Sequence, residues 1–328
     1  MNEHWYKNII GARTLKTGLA TFLTALFCLL LNLNPIFAIL TAIVTIEPTA
    51  KASIKKGYKR LPATIIGALF SVLFTFLLGD GNALTYALSA TFTIVLCTKL
   101  NLHVGTTVAT LTAMAMIPGI HEAYLYNFFS RLLTAMIGLV TAALVNFIIL
   151  PPKYYDQVND SINKTETEMY QLFNERVKQL LMGKYSANNA YKRLSALMRL
   201  TQKIETLLTY QKDELGYHKH RDDEWIQIKS LTTRAHTNRL FITHLSNIVY
   251  LPKDTNIKFT QEERLAILYI AESISDIQAT GHFERQKNSV SVLKSSVKQL
   301  DEFDKHQLKS HVIYEILLIY RILHHRFA

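Results

Sequence analysis

The chain has 328 residues, with 36 Lys and Arg against 25 Asp and Glu and a formal net charge of +11. Its two cysteines, Cys28 and Cys97, both fall in apolar runs, which argues against a disulfide framework. Much of the excess charge flanks apolar segments and no base-stacking aromatic motif accompanies it, so it points to a membrane boundary and anionic lipid and not to nucleic acid.

Up to Leu150-Pro151-Pro152 the only acids are Glu3, Glu47, Asp80 and Glu122; beyond it charges are dense and apolar residues periodic. This shift predicts an all-α chain of two domains, a transmembrane domain over 1–150 and a water-exposed helical domain over 151–328. The stretch Leu15–Leu33 follows basic residues as a signal peptide would. It is long, however, lacks a small-x-small cleavage site and precedes further apolar runs, so it reads as a retained helix. Six apolar segments follow one another at about 15–33, 35–49, 62–79, 83–98, 104–118 and 128–150. Several are shorter than the roughly 20 residues that cross hydrocarbon, which leaves a four-span reading open. Charge favours six spans. With a cytosolic N-terminus, Lys7, Arg13, Lys16, the Lys51–Arg60 cluster, Lys99 and Lys153 then all face the cytosol, and only Arg131 joins Asp80 and Glu122 near the outer side. Merging the first two segments would put the Lys51–Arg60 cluster opposite Arg13 and Lys16.

The segments contain a repeat. Shifted by 71 positions, Ala38, Leu40, Thr41, Ala42 and Ile46 meet Ala109, Leu111, Thr112, Ala113 and Ile117. In the same register Arg60, Leu61, Ile66, Gly67, Leu73 and Phe76 meet Arg131, Leu132, Ile137, Gly138, Leu144 and Phe147. Six spans make this a three-plus-three repeat whose halves are inverted, a plan used by transporters with a pathway between the halves.

Residues 46–68, IEPTAKASIKKGYKRLPATIIGA, carry a further signal. Pro48 and Thr49 follow a membrane segment, a basic amphipathic turn containing Gly57 comes next, and Arg60, Thr64 and Gly67 enter the following helix. This stretch resembles the signature of the aromatic acid exporter and fusaric-acid-resistance-like superfamily. The whole chain looks like its short Gram-positive branch, including a staphylococcal group, with a membrane domain and a cytosolic helical C-terminal domain. The resemblance implies an efflux carrier or anion-conducting protein in the cell membrane, a homodimer like the plant malate channels of similar architecture, and an organic anion as substrate, aromatic acids being one class among those its relatives carry.

Arg131 is the first candidate for the pathway, because an arginine within a membrane helix needs water, a partner or a bound anion. Its repeat mate Arg60 would mark the other mouth. The structural alternative has Arg60 reaching lipid phosphate and Arg131 pairing with Glu122. Glu47 is a candidate for proton coupling, since a desolvated carboxylate takes up a proton more readily; Lys51, one turn on, offers a plain salt bridge instead. Thr14, Thr17, Gly18, Thr21 and Thr24 share one helix face, as do Thr106 and Thr110, so Thr21 and Thr110 could line a polar route or mark close helix packing. Gly138, the mate of Gly67, belongs with the structural motif. His218, His220, Asp222 and Asp223 lack metal-ligand spacing, so neither a metal nor another cofactor is expected.

Beyond Tyr154, apolar stripes recur at helical spacing: Tyr155, Val158, Ile162, Met169, Leu172, Phe173 and Leu180; then Leu194, Leu197, Ile204, Leu207 and Leu208; then Trp225, Ile228, Leu231, Ala235, Ile242 and Leu245. Shorter stripes hold Leu265, Leu268 and Ile274, then Val290, Leu293, Val297 and Leu300, with a last run from Leu308 to Leu323. Such stripes predict an antiparallel bundle, with breaks at Gly183, Gly216, Pro252 and Gly281. No phosphate-binding Gly-rich loop, nucleophile elbow or zinc-protease motif is present, so neither ATP drive nor an enzyme is expected. The alternatives to transport are a membrane-anchored scaffold or sensor whose bundle binds partners, and a lipid-binding protein using the Lys51–Arg60 cluster.

Overall fold

The computed structural model describes residues 11–118, 123–149, 154–183, 188–216, 222–251, 257–300 and 307–327. Among these the regular structure is all α-helical, with twelve helices and no strand. The chain divides into two compact units, one of Met1–Lys153 with Asp213–Lys219 and one of Tyr154–Lys212 with His220–Ala328.

The first unit contains α1 (Ala12–Leu30), α2 (Ile36–Thr45), α3 (Ala50–Leu78), α4 (Ala83–Lys99), α5 (His103–Met116) and α6 (Tyr124–Ile148). Three of these, over Arg13–Leu30, Ala50–Leu78 and Tyr124–Ile148, are long and apolar enough to cross a membrane. At 1.5 Å per residue α2 covers only about 15 Å, half of a hydrocarbon core. The segment read as 35–49 is therefore a ten-residue helix followed by the non-helical stretch Ile46–Thr49. The segment read from 62 begins instead at Ala50, because the basic cluster is helical and the helix continues through Pro62. Thr49 caps it, accepting from Ala52 N at 3.1 Å.

Two turns of this unit are built alike. After α1, Leu33 N donates to Cys28 O and Asn32 N to Leu29 O, at 2.8 and 3.1 Å. After α4, Leu102 N donates to Cys97 O and Asn101 N to Thr98 O at the same distances. Asn32 and Asn101 hold φ of 53° and 55°, which closes each helix in a Schellman motif. The packing is matched too: α1 lies on α2 and α6, α4 lies on α5 and α3, and α3 crosses both α5 and α6. At two crossings no side chain fits. A Cβ on Gly67 would stand 2.2 Å from Ala109 O, and a Cβ on Gly138 2.2 Å from Ala38 O. Outward-facing positions stay apolar, as at Phe22, Leu30, Phe76 and Leu125.

The second unit contains α7 (Tyr155–Met182), α8 (Asn188–Leu215), α9 (Asp222–Val249), α10 (Gln261–Thr280), α11 (Lys287–Leu300) and α12 (Gln307–Phe327). Their apolar stripes meet in one core that includes Met169, Phe173, Leu194, Phe241, Ile270 and Ile316. Gly183 and Gly281 end α7 and α10 with left-handed φ of 66° and 71°. Glu166 on α7 is shared by Arg234 and Arg326, each at 2.8 Å. Burial alone would raise its carboxyl, but hydrogen bonds and charge from the two arginines outweigh that and hold it below the ordinary carboxylate range. His218 and His220 lie outside the described residues, and no metal-binding group of His, Cys, Asp or Glu occurs among the described ones.

Candidate functional site

The two repeat-related arginines occupy different surroundings. Arg60, on α3, is 5% exposed, and its Nη2 donates to Glu47 Oε1 at 2.8 Å. Lys56 Nζ holds Glu47 Oε2, also at 2.8 Å. Glu47 comes within reach because Ile46–Thr49 is not helical and folds the chain back onto the first turns of α3.

That stretch is pinned from three helices. Asn146 Nδ2, on α6, donates to Ser53 Oγ (2.7 Å), Glu47 O (3.1 Å) and Thr49 O (3.2 Å). Lys16 Nζ, on α1, donates to Asn146 Oδ1 at 2.8 Å, and Arg13 Nη2 reaches Ile46 O at 3.4 Å. Ser53 Oγ accepts from Glu47 N and donates to Thr45 O. Sequence reasoning missed Asn146, Lys16 and Ser53 as a group. The available signal was Asn146 itself, a lone amide in the apolar run 128–150.

Arg131, on α6, is 6% exposed. Its Nη2 donates to Thr112 Oγ1 on α5 at 2.8 Å, and its guanidinium carbon lies 3.4 Å from the centroid of the Phe37 ring on α2. Nε and Nη1 are buried with no hydrogen-bond partner among the described residues. Glu122, the partner considered from the sequence, lies outside those residues. The arginine borders a cavity of about 220 Å³ whose polar wall includes Asn34, Asn127, Ser130 and Thr134. An unsatisfied buried donor costs about 1–3 kcal/mol, and a charged one more, so two of them beside a cavity make a strong site for a hydrogen-bond acceptor. Nε and Nη1 lie on different edges of the guanidinium, so a carboxylate can take a charge-assisted hydrogen bond from either. The Phe37 face stacked on the guanidinium adds a cation–π contact.

The remaining candidates are placed apart from these contacts. Thr21 Oγ1 donates back to Gly18 O, Thr110 Oγ1 to Thr106 O, and Thr64 Oγ1 to Arg60 O. A Cβ at Gly57 would lie 3.2 Å from the Leu139 side chain, so this glycine sits at the α3–α6 contact.

Residues 8–149 match the sequence model of aromatic acid exporter family member 1. A UPF0421 protein of Staphylococcus saprophyticus is 77% identical over the full length of both chains. The chain belongs to the UPF0421 family, and its residues 8–149 to the aromatic acid exporter family. Further UPF0421 proteins, from Staphylococcus epidermidis and Staphylococcus aureus, are 66% and 56% identical to this chain, again over the full length of both. Family and apolar helices together make it a membrane protein with an exporter-family segment. Both arginines and the glycine crossings fall inside the matched residues.

Proposed function

We propose that the chain exports organic anions, aromatic acids among them, through the interface of two inverted three-helix halves. In this reading residues 1–150 form a six-span transmembrane domain in the cell membrane, residues 151–328 a cytosolic helical domain, both termini are cytosolic, and the protein is a homodimer surrounded by lipid. The matched Asn turns, the exchanged helix packing and the paired Gly67 and Gly138 crossings support the inverted halves. Transport, not catalysis, is the activity.

The observation that carries the reading is the buried Arg131 with two free donors at a cavity. In the first half Arg60 has Glu47 as its counter-anion. Seventy-one residues on, Glu47 is replaced by Pro118, which borders the Arg131 cavity. A substrate carboxylate would supply at Arg131 the counter-charge that Glu47 supplies at Arg60, taken at Nε or Nη1 because Thr112 holds Nη2, with its ring against Phe37. A proton taken up by Glu47 would release Arg60 for the same cargo, which supplies a route to proton coupling.

The test is flux of labelled aromatic and aliphatic carboxylates in proteoliposomes. Arg131→Ala should lower flux of the transported acid at least about tenfold, the equivalent of one charge-assisted hydrogen bond, and Arg131→Lys less. Glu47→Gln should remove the dependence on an imposed pH gradient at fixed voltage. A folded, fully active Arg131→Ala protein refutes the site. No flux of any acid under both gradients transfers the function to the membrane-anchored scaffold or sensor.

A further inference from the structure

In the second unit α11 and α12 enclose a cavity of about 760 Å³. Its apolar wall comes from Val290, Val297, Leu317 and Tyr320, and Phe283 packs on the Tyr320 ring at 5.1 Å between centroids. Around this wall stand Arg285, Lys287, Lys294, Lys298 and Arg321, with His324 and His325 at the end of α12. Among the described residues no carboxylate lines the cavity. Elsewhere in the unit Arg193, Arg234, Arg239, Lys309 and Arg326 each meet a carboxylate, while other surface cations among the described residues, such as Lys164 and Lys203, do not. The five around the cavity pair with none among the described residues. Lys287, Lys294 and Lys298 share one face of α11 with Val290 and Val297, as offsets of three, four and seven require. Charge and apolar surface are therefore presented together, to one concave space.

We infer that this groove binds a small amphipathic organic anion, a carboxylate on an aromatic or aliphatic body. The volume lies within the range of small-molecule pockets, about 300–1,000 Å³. The apolar wall takes the body by burial, and the unpaired lysines and arginines take the carboxylate at the rim. A nucleic acid would be served by a flat cationic stripe and has no use for the apolar hollow. The site is separate from Arg131 and does not rest on the transport reading.

The test is equilibrium dialysis of the full chain carrying Arg131→Ala, in phosphatidylcholine nanodiscs, against labelled salicylate, 4-hydroxybenzoate and decanoate at constant salt. At least one acid should bind saturably with Kd below about 1 mM. Benzyl alcohol, which lacks the charge, should not displace it. The double variant Lys294→Gln/Arg321→Gln should weaken binding about tenfold or more, while Lys294→Arg/Arg321→Lys keeps most of it; both pairs are exposed, and circular dichroism checks that they fold. The inference is overturned if no acid binds, or if the Gln variant binds as well as its parent. It is also overturned if the Gln variant loses only adhesion to phosphatidylglycerol vesicles, because the groove would then be a lipid contact. The Arg131→Ala background separates this outcome from failure of the membrane site.

Discussion

Gly67→Ala and Gly138→Ala should damage the first unit equally. Each new methyl would stand 2.2 Å from a backbone carbonyl oxygen, Ala109 O or Ala38 O, where carbon–oxygen contacts between helices settle at about 3.3–3.6 Å. The helices must part by about 1 Å, and because the obstacle is backbone no rotamer change relieves it. Overpacking of this kind costs about 2–3 kcal/mol. Alanine returns up to about 1 kcal/mol of helix propensity, leaving a net loss of about 1–2 kcal/mol. Gly18→Ala isolates the propensity gain, because a Cβ there meets nothing within 4 Å. Thermal unfolding in one detergent, followed by far-ultraviolet circular dichroism, should rank Gly18→Ala at or above the parent and the other two together below it, about 2–3 kcal/mol under Gly18→Ala. If either crossing variant unfolds with or above Gly18→Ala, the close approach is wrong. A large difference between the two would refute the equivalence of the crossings.

Asn146→Ala should cost about 1–3 kcal/mol, because it strips donors from Glu47 O and Thr49 O and an acceptor from Lys16. Exchange of the Glu47 amide, measured by mass spectrometry, should quicken about tenfold, and an unchanged rate would remove Asn146 as the anchor. Glu166→Gln should cost about 2–3 kcal/mol at pH 7, since it leaves Arg234 and Arg326 largely buried without their counter-charge. The folded carboxyl lies below its unfolded value of about 4.3, so its contribution is complete above that pH and is lost as the pH falls through the folded value. The gap between parent and variant in thermal scans should accordingly narrow from pH 7 to pH 3; a constant gap would show that Glu166 stabilises by packing.

The stripes of the second half were legible because a 3.6-residue period marks a buried face whatever the partner. Val158, Ile162, Leu194 and Leu245 are fully buried at such positions. Trp225 and Leu265 sit in the same pattern yet remain 44% and 47% exposed, while Phe241, outside the pattern, is fully buried. Both exposed residues lie in the opening turns of their helices, where a stripe continues beyond its neighbours. Hydropathy hid the start of α3, since charges lower the average without weakening the helix. It also merged Ile46–Thr49 with α2. The Arg60–Glu47 pair followed that error: Lys51 is one turn away in sequence, whereas Arg60 arrives only through the non-helical corner. A constant 71-residue shift exposed the glycine crossings but not the Asn turns. Residues 28–33, CLLLNL, align with 97–102, CTKLNL, at a shift of 69, and the two-residue change broke the register.

The corner at Ile46–Thr49 also sets a timetable for biosynthesis. Its carbonyls at Glu47 and Thr49 take their hydrogen bonds from Asn146, and the first of these links joins residues 99 positions apart. Buried non-helical backbone of this kind needs protein or water to satisfy it. At roughly 5–20 residues per second, Asn146 is made roughly 5–20 s after Glu47. Throughout that interval α2 and the head of α3 must keep water or the insertion machinery as their partner. Closure of the corner therefore waits on α6, and nascent chains halted before residue 146 should leave it open to protease.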